Sequence, residues 1–198
     1  ETAELPGLYR PGEYDLAGFI VGAVRRERLL DGSRVQAGDV LLGLPSTGLH
    51  TNGYSLARHA LQDTNYDERP AELGGQSVGE ALLAVHRSYL HEVTALRAAA
   101  PLKALAHITG GGVLDNLPRA LPQGLGAVIR KGSWPVPPIF GLLLRLGSIP
   151  ERDAYHAFNM GIGMLAVVPP QAVAAAQAAV PEARVVGEVV AGEGVQIV

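Results

Sequence analysis

The chain contains three polar loops in which glycine stands beside side chains that could bind a ligand. The first loop, residues 45–56, carries two hydroxyls, the imidazole of His50 and the amide of Asn52 ahead of a predicted helix that includes Ser55. Backbone N–H groups at the start of a helix attract anions, and His50 could add a proton or a positive charge. The structural alternative is that Asn52 and Ser55 cap the helix and that His50 is an ordinary loop histidine.

The second loop lies within residues 107–119 and contains three consecutive glycines, Gly110, Gly111 and Gly112, between a predicted strand and a predicted helix. Glycines let the backbone come close to a ligand and direct several N–H groups at a phosphate. The loop lacks the Gly-Lys-[Ser/Thr] ending of a Walker A loop and the spacing of a dinucleotide-binding loop. A simple turn is therefore the alternative to a phosphate site.

The third loop, residues 158–164, places Asn159 and several small residues before a predicted strand. Small residues are also typical of tight packing, and asparagine is also typical of a turn. His59, His86 and His91 are predicted to lie on helices among ordinary surface residues. The sequence has no His-Glu-x-x-His motif, no close pair of histidine and carboxylate and no Gly-x-Ser-x-Gly elbow, so it predicts neither a metal site nor a serine hydrolase.

Composition excludes several classes of function. The 198 residues carry 16 Lys and Arg against 19 Asp and Glu, a net charge of −3, so the chain lacks the basic stripe that nucleic-acid binding needs. It has no cysteine and no apolar run close to the ~20 residues that span a bilayer. Because residues 1–7 also lack the pattern of a signal peptide, we expect a cytoplasmic protein without a nucleic-acid or membrane partner. The first residue is Glu1 rather than methionine, which indicates a fragment.

Hydrophobic patterning predicts strands that alternate with helices, and so an α/β or α+β fold in which helices cover one sheet. The charged segment 25–38 contains an Asp-Gly turn signal and is predicted to connect two units. The predicted strands are 16–24, 40–44, 102–109, 127–130, 161–168 and a closing pair or edge at 185–190 and 195–198. The first predicted helix starts near residue 53. The others cover 77–86, 89–99, a segment that reaches 117, 139–146 and 171–179, and a capping box opens the helix at 77–86.

Five sequence blocks occur in one order that resembles a known enzyme family. They are ETAE at 1–4, GDVL at 38–41, the 47–56 block ending in HTNGYSL, the 107–119 block and FNMGIGM at 158–164. Together they resemble the phosphoribosylformylglycinamidine cyclo-ligases, also called aminoimidazole ribonucleotide synthetases, of purine biosynthesis. The resemblance covers essentially the whole chain and is more specific than any single glycine loop.

The resemblance implies a fold and a domain division. Residues 1–34 would be the tail of an N-terminal ATP-binding domain with its linker, and residues 35–198 the C-terminal α/β domain, a mixed β-sheet flanked by helices. The family's preceding part, which carries most nucleotide-binding loops, acidic metal ligands and the strands of a homodimer, is missing from this sequence. Whether the fragment is active alone stays open.

The resemblance also implies a reaction. Family members use ATP and Mg²⁺ to phosphorylate a formyl amide oxygen of a nucleotide substrate, after which a ring nitrogen attacks and phosphate leaves, giving aminoimidazole ribonucleotide, ADP and phosphate. Such chemistry depends on alignment and on donors at the transferring phosphoryl group. Other members of the same ATP-using superfamily and a non-catalytic ligand-binding module are the alternatives, and formylglycinamidine ribonucleotide synthetase is one such member.

Carried over residue by residue, the resemblance assigns a catalytic role to His50. This imidazole would donate to or polarise the substrate amide or its phosphorylated intermediate. Asn52 and Ser55 would position the substrate, and Thr109, Gly110, Gly111 and Gly112 would cradle its phosphate or ribose. His107, Asn116 and Asn159 would line the cleft. Glu1 and Thr2 would approach from the domain junction. No residue of this chain is assigned to a metal.

Overall fold

Six strands and seven α-helices make up the fold of this protein, whose computed structural model describes residues 10–14 and 18–198. The strands are β1 (Val40–Pro45), β2 (Ala104–His107), β3 (Leu125–Ile129), β4 (Ile162–Val168), β5 (Arg184–Ala191) and β6 (Val195–Ile197). The helices are α1 (Tyr54–Ala60), α2 (Val78–Leu82), α3 (Leu90–Ala99), α4 (Gly112–Asn116), α5 (Pro138–Leu146), α6 (Glu151–Ala157) and α7 (Val173–Ala179). Short 3-10 helices cover Arg26–Arg28, Ala71–Leu73, Pro118–Ala120 and Pro170–Ala172.

The strands form one mixed sheet in the order β2-β4-β1-β5-β3-β6. All pairs are antiparallel except β3 with β6, which is parallel. Strand β1 lies at the centre of the sheet and is bonded to β4 and β5, which both follow much later in the chain. The predicted fold, a mixed sheet flanked by helices, is confirmed.

Both faces of the sheet are buried. Successive side chains of a strand point to opposite faces, so neighbouring residues of one strand enter different cores. In β1, Leu41 belongs to a core shared with α1, α2, α4, α5 and α6, whereas Leu42 belongs to a second core shared with α3 and α7. Strand β4 alternates in the same way. The near-continuous apolar sequence of β1 follows from this double burial.

Two predictions about elements are wrong, and a third is confirmed in one of its two alternatives. The predicted strand 16–24 lies partly outside the described residues, and its described part, 18–24, has no regular structure and exposes Phe19 and Ile20 almost completely. For 185–190 and 195–198 the edge alternative is confirmed and the pair is wrong, because β6 bonds to β3 at the edge of the sheet and not to β5. The helix predicted over 77–86 ends at Leu82, although its capping box between Ser77 and Glu80 is present.

Helix α6 was not expected from the sequence. Its seven residues bury only Ala154 and Tyr155, which gives too weak an apolar periodicity to indicate a helix. Within the described part of the chain, no helix is long and apolar enough to cross a bilayer.

Candidate functional site

The segment that joins β1 to α1 presents His50 at the end of the central strand. The backbone N–H of Ser46 donates to the carbonyl of Gly161 at 2.9 Å, which ties the start of this segment to β4. His50 has a φ of 60°, in the left-handed region that few non-glycine residues adopt, and only 4% of its surface is exposed. Helix α1 begins after Gly53, which has a φ of 81°, and no side chain caps it. The capping alternative for Asn52 and Ser55 is therefore wrong.

His50 is held as a neutral imidazole with a defined tautomer. The backbone N–H of Thr47 donates to its Nε2 at 3.1 Å, so Nε2 carries the lone pair and Nδ1 carries the hydrogen. Burial, followed by the positive charges that His86, His107 and Arg87 can carry, lowers the pKa of His50 from 6.5 to about 4. The Nδ1 atom is buried and has no hydrogen-bond partner among the described residues. His50 is thus a neutral donor whose Nδ1–H has no acceptor among residues 10–14 and 18–198.

Three imidazoles form a histidine cluster consisting of His50, His86 and His107. The rings of His50 and His86 are stacked, with centroids 4.0 Å apart and planes inclined by 15°. The centroid of His107, at the end of β2, lies 5.7 Å from that of His86. His86 is only half-buried and lies in the loop after α2 rather than on a helix, so the prediction that it is an ordinary helical surface residue is wrong.

The glycine loop, residues 109–112, presents N–H groups and turns its carbonyls inward. The side-chain amide nitrogen of Asn116 donates to the carbonyls of Thr109, Gly110 and Gly112 at 3.3, 3.1 and 2.7 Å. The N–H groups of Gly110 and Gly111 donate to no acceptor in the part of the chain that the structure describes. Free backbone N–H groups of this kind can bind an anion.

Glycine is required at position 112 of this loop. Its φ is 60°, and a Cβ there would lie 1.8 Å from the carbonyl oxygen of Tyr155. The first loop also comes close, since a Cβ on Gly110 would lie 3.5 Å from Oδ1 of Asn52. The fold therefore places Asn52 beside the glycine loop, as a shared site requires.

Asn159 ties the third loop to the first. Its Oδ1 accepts from Oγ of Ser46 at 2.8 Å and from the N–H of Gly161 at 2.9 Å, and its Nδ2 donates to the carbonyl of Gly48 at 2.7 Å. All of these groups are buried. The amide of Asn159, like that of Asn116, therefore binds protein groups and holds loops in place.

The remaining residues predicted for the site are less closely associated. Ser55 is exposed on α1, and His107 is exposed at the end of β2. Glu1 and Thr2 lie outside the described residues. A cavity of about 320 Å³ is lined by Asp31, His107, Asn116 and Arg119 among others, and by no residue of the glycine loop. A larger cavity of about 520 Å³ lies between α4, α6 and β6 and includes none of the histidine cluster.

The comparisons with known proteins agree with this arrangement of loops. Residues 36–198 match the family model described as AIR synthase related protein, C-terminal domain. The chain belongs to this AIR synthase related family. The blocks at 47–56, 107–119 and 158–164 lie at one end of the sheet, where β1 and β2 end and β4 begins.

Relatives within the AIR synthase related family are named phosphoribosylformylglycinamidine cyclo-ligase. The relative from Anaeromyxobacter sp. (strain Fw109-5) is 53% identical over 98% of this chain and 58% of its own length. Those from Symbiobacterium thermophilum and Shouchella clausii are 51% and 48% identical, over 98% and 100% of this chain and 57% and 59% of theirs. The chain thus spans a little more than half the length of these relatives.

Solved structures show the same fold at low sequence identity. E. coli HypE, a hydrogenase maturation protein, has a TM-score of 0.56 and 21% identity over 89% of this chain and 50% of its own. AaThiL complexed with AMPPCP and TMP has a TM-score of 0.51 and 18% identity over 84% of this chain and 49% of its own. These similarities confirm the fold of the AIR synthase related domain.

The described residues do not fit a magnesium ion. Within residues 10–14 and 18–198, no group of three or more His, Asp or Glu side chains is arranged to hold a metal. Mg²⁺ prefers carboxylate and water oxygens in octahedral geometry, whereas the polar groups gathered here are imidazoles and backbone N–H groups. The site of this AIR synthase related domain is therefore suited to anions and to neutral acceptor oxygens.

Proposed function

We propose that this chain forms the C-terminal part of a phosphoribosylformylglycinamidine cyclo-ligase. The enzyme would convert formylglycinamidine ribonucleotide and ATP to aminoimidazole ribonucleotide, ADP and phosphate. The proposal is supported by relatives of that name at 48 to 53% identity over nearly the whole chain. Because those relatives are much longer, the activity is proposed for a protein that also contains their additional part.

The neutral N–H donor of His50 is the observation that carries this proposal. In the reaction, the γ-phosphoryl group of ATP is transferred to the formyl amide oxygen and ADP leaves. The ring-closing nitrogen then attacks the formyl carbon, the bond from this carbon to the phosphorylated oxygen breaks, and negative charge develops on that oxygen as phosphate leaves. A donor fixed in advance stabilises such charge without any reorganisation of solvent. Since Thr47 fixes the tautomer, His50 can only donate through Nδ1 and cannot accept there. We therefore assign His50 to donating to this oxygen in the phosphorylated intermediate.

The free N–H groups of Gly110 and Gly111 are proposed to bind the phosphate of the substrate. Asn116 supports this role, because it binds the loop carbonyls and so keeps their negative ends away from an anion. We assign Asn116 and Asn159 as positioning residues, and Thr109, Asn52, Ser55 and His107 as residues that flank the substrate. Glu1 and Thr2 are proposed to reach the site from the domain junction.

ATP is proposed as the phosphoryl donor, and the complex of AaThiL with AMPPCP, which shares this fold, supports a nucleotide as ligand. Mg²⁺ is proposed to be held outside this chain, since the described residues do not fit it. The proposed steps for His50 and the glycine loop use no metal. A homodimer and a cytoplasmic location belong to the same proposal, and the exposed Phe19 and Ile20 support burial of segment 18–24 in the whole assembly.

An ADP-release assay with formylglycinamidine ribonucleotide tests the proposal, using the protein at its full natural length. The His50→Ala variant removes one fixed donor and is expected to lower kcat about 10²- to 10³-fold. The matched control is His59→Ala, an exposed histidine on α1 that is expected to keep normal turnover. If the wild-type protein released ADP only with thiamine monophosphate, the proposed substrate would be wrong.

A further inference from the structure

We propose that His86 is a positioning residue, which keeps the ring of His50 in place and neutral so that Nδ1–H faces the substrate oxygen. This inference rests on the proposed function for the identity of that oxygen. The interaction between the two histidines does not depend on the proposed function, because it is a property of the protein alone. Nothing in the pattern of the sequence assigns His86 a role.

The position of His86 is built into the fold. On one side of it, the hydroxyl of Tyr54 donates to the carbonyl of Leu82 at 2.6 Å, and Oγ1 of Thr47 donates to the carbonyl of Val85 at 2.6 Å. On the other side, the hydroxyl of Tyr89 donates to the carbonyl of Pro45 at 2.9 Å. The loop that carries His86 is thus fastened at both ends to the segment that carries His50.

These hydrogen bonds hold the two rings face to face. Their near-parallel planes, 4.0 Å between centroids, leave no room for a water molecule between them, so His86 covers one face of His50. The edge of His50 at Cε1 packs against Gly163 of β4, where a Cβ would lie 2.7 Å away. His50 is therefore confined by a stacked ring on one side and by the sheet on another.

The charges around His50 all act in one direction. The groups that face it are His86, His107, Arg87 and the ring of Tyr89, whose centroid lies 6.2 Å away. Arg87 is itself paired with Glu92 and Glu182. Together with burial, the positive charges that these groups can carry disfavour a proton on His50.

Protonation of His50 would disrupt the site. A second hydrogen on Nε2 removes the lone pair that accepts from Thr47, so the ring would lose its only hydrogen bond among the described residues. By covering one face of His50, His86 keeps this ring out of water and so prevents this change as the pH falls. It acts on substrate only through His50.

The experiment is a nitrogen-15 NMR titration of the full-length protein with labelled histidines, with His86→Ala, His86→Phe and His59→Ala as variants. We expect wild-type His50 to stay in the Nδ1–H form to low pH. In His86→Ala its pKa should move up from about 4 toward the ordinary 6.5. In His86→Phe, which keeps a stacked ring, the tautomer should persist. His59→Ala should leave His50 unchanged.

The pH profile of kcat/KM gives a second readout. For His86→Ala its acidic limb should move to higher pH together with the titration of His50. An unchanged His50 titration in His86→Ala, or loss of the Nδ1–H tautomer in His86→Phe, would overturn the proposal. Should His86→Ala fail to fold, the His86→Phe result decides alone. A wild-type protein that titrates as expected but does not turn over the substrate would refute only the proposed function.

Discussion

Replacing Gly163 by alanine places a methyl group where the hydroxyl of Tyr89 now lies. The new Cβ would be 1.9 Å from that oxygen and 2.7 Å from Cε1 of His50. To reach van der Waals distance the hydroxyl must retreat by about 1.5 Å, which breaks its 2.9 Å hydrogen bond to the carbonyl of Pro45. Both the stability of the fold and the position of His50 should therefore change.

The cost follows from two contributions. Forcing an extra methyl group into a packed region costs about 1 to 3 kcal/mol. Leaving the carbonyl of Pro45 without its donor costs about 1 to 3 kcal/mol more. We expect Gly163→Ala to lower the free energy of unfolding by about 2 to 6 kcal/mol, a large part of the roughly 5 to 15 kcal/mol typical of a domain.

Urea unfolding followed by circular dichroism measures this change. The matched control is Gly141→Ala, since a Cβ on this glycine of α5 would meet no atom within 4 Å. In a helix this replacement should stabilise the protein by about 0.5 to 1 kcal/mol. If Gly163→Ala unfolded at the same urea concentration as wild type, the close packing described between β4, Tyr89 and His50 would be wrong.

Three further predictions concern buried polar groups. Asn159→Ala removes three hydrogen bonds and should lower the free energy of unfolding in urea by about 3 kcal/mol. The control Asn65→Ala loses one exposed hydrogen bond from Asp67 and should cost under about 1 kcal/mol. Equal costs would argue against the loop contacts. Because the pKa of His50 is lower in the folded protein, the unfolded state binds more protons between pH 6.5 and about 4. Stability that is complete above pH 6.5 should fall by about 2 to 3 kcal/mol across that window, and calorimetry should show a shallower slope for His50→Gln. The buried carboxylate of Asp39 accepts from Nζ of Lys103 at 2.7 and 2.8 Å. Lys103→Met leaves this carboxylate without its cation and should lower the free energy of unfolding by about 3 to 5 kcal/mol. Adding Asp39→Asn should restore part of the stability, and no recovery would contradict the ion-pair reasoning.

Local chemistry made much of the fold predictable from the sequence. The apolar run at 40–44, the capping box at Ser77 and the proline after α3 each act within a few residues, and the corresponding elements lie within a few residues of their predicted bounds. Strand pairing was not predictable in this way. Strand β6 lies beside β3 because of how the whole sheet is assembled, and nothing in its three residues specifies that neighbour.

The site was predictable only in part for the same reason. The glycine loop and His50 are visible because turn-forming residues surround them. His86 is 36 positions from His50 in the sequence, so a pattern search along the chain has no means of joining them. Only the folded structure shows that their rings are in contact. Segment 18–24 has the composition of a strand, but a strand needs a neighbour to bond to, and none is present among the described residues.

The central position of β1 has a consequence for how the protein is made. Val40 pairs with Val168 on one side and Glu188 on the other, so the ribosome must add most of the chain before either neighbour of β1 exists. At 5 to 20 residues per second, this apolar strand waits roughly 6 to 25 s with both edges open. During that interval the nascent chain exposes an unpaired apolar strand to chaperones and to other chains. A translation product that stops before β4 should therefore aggregate rather than fold.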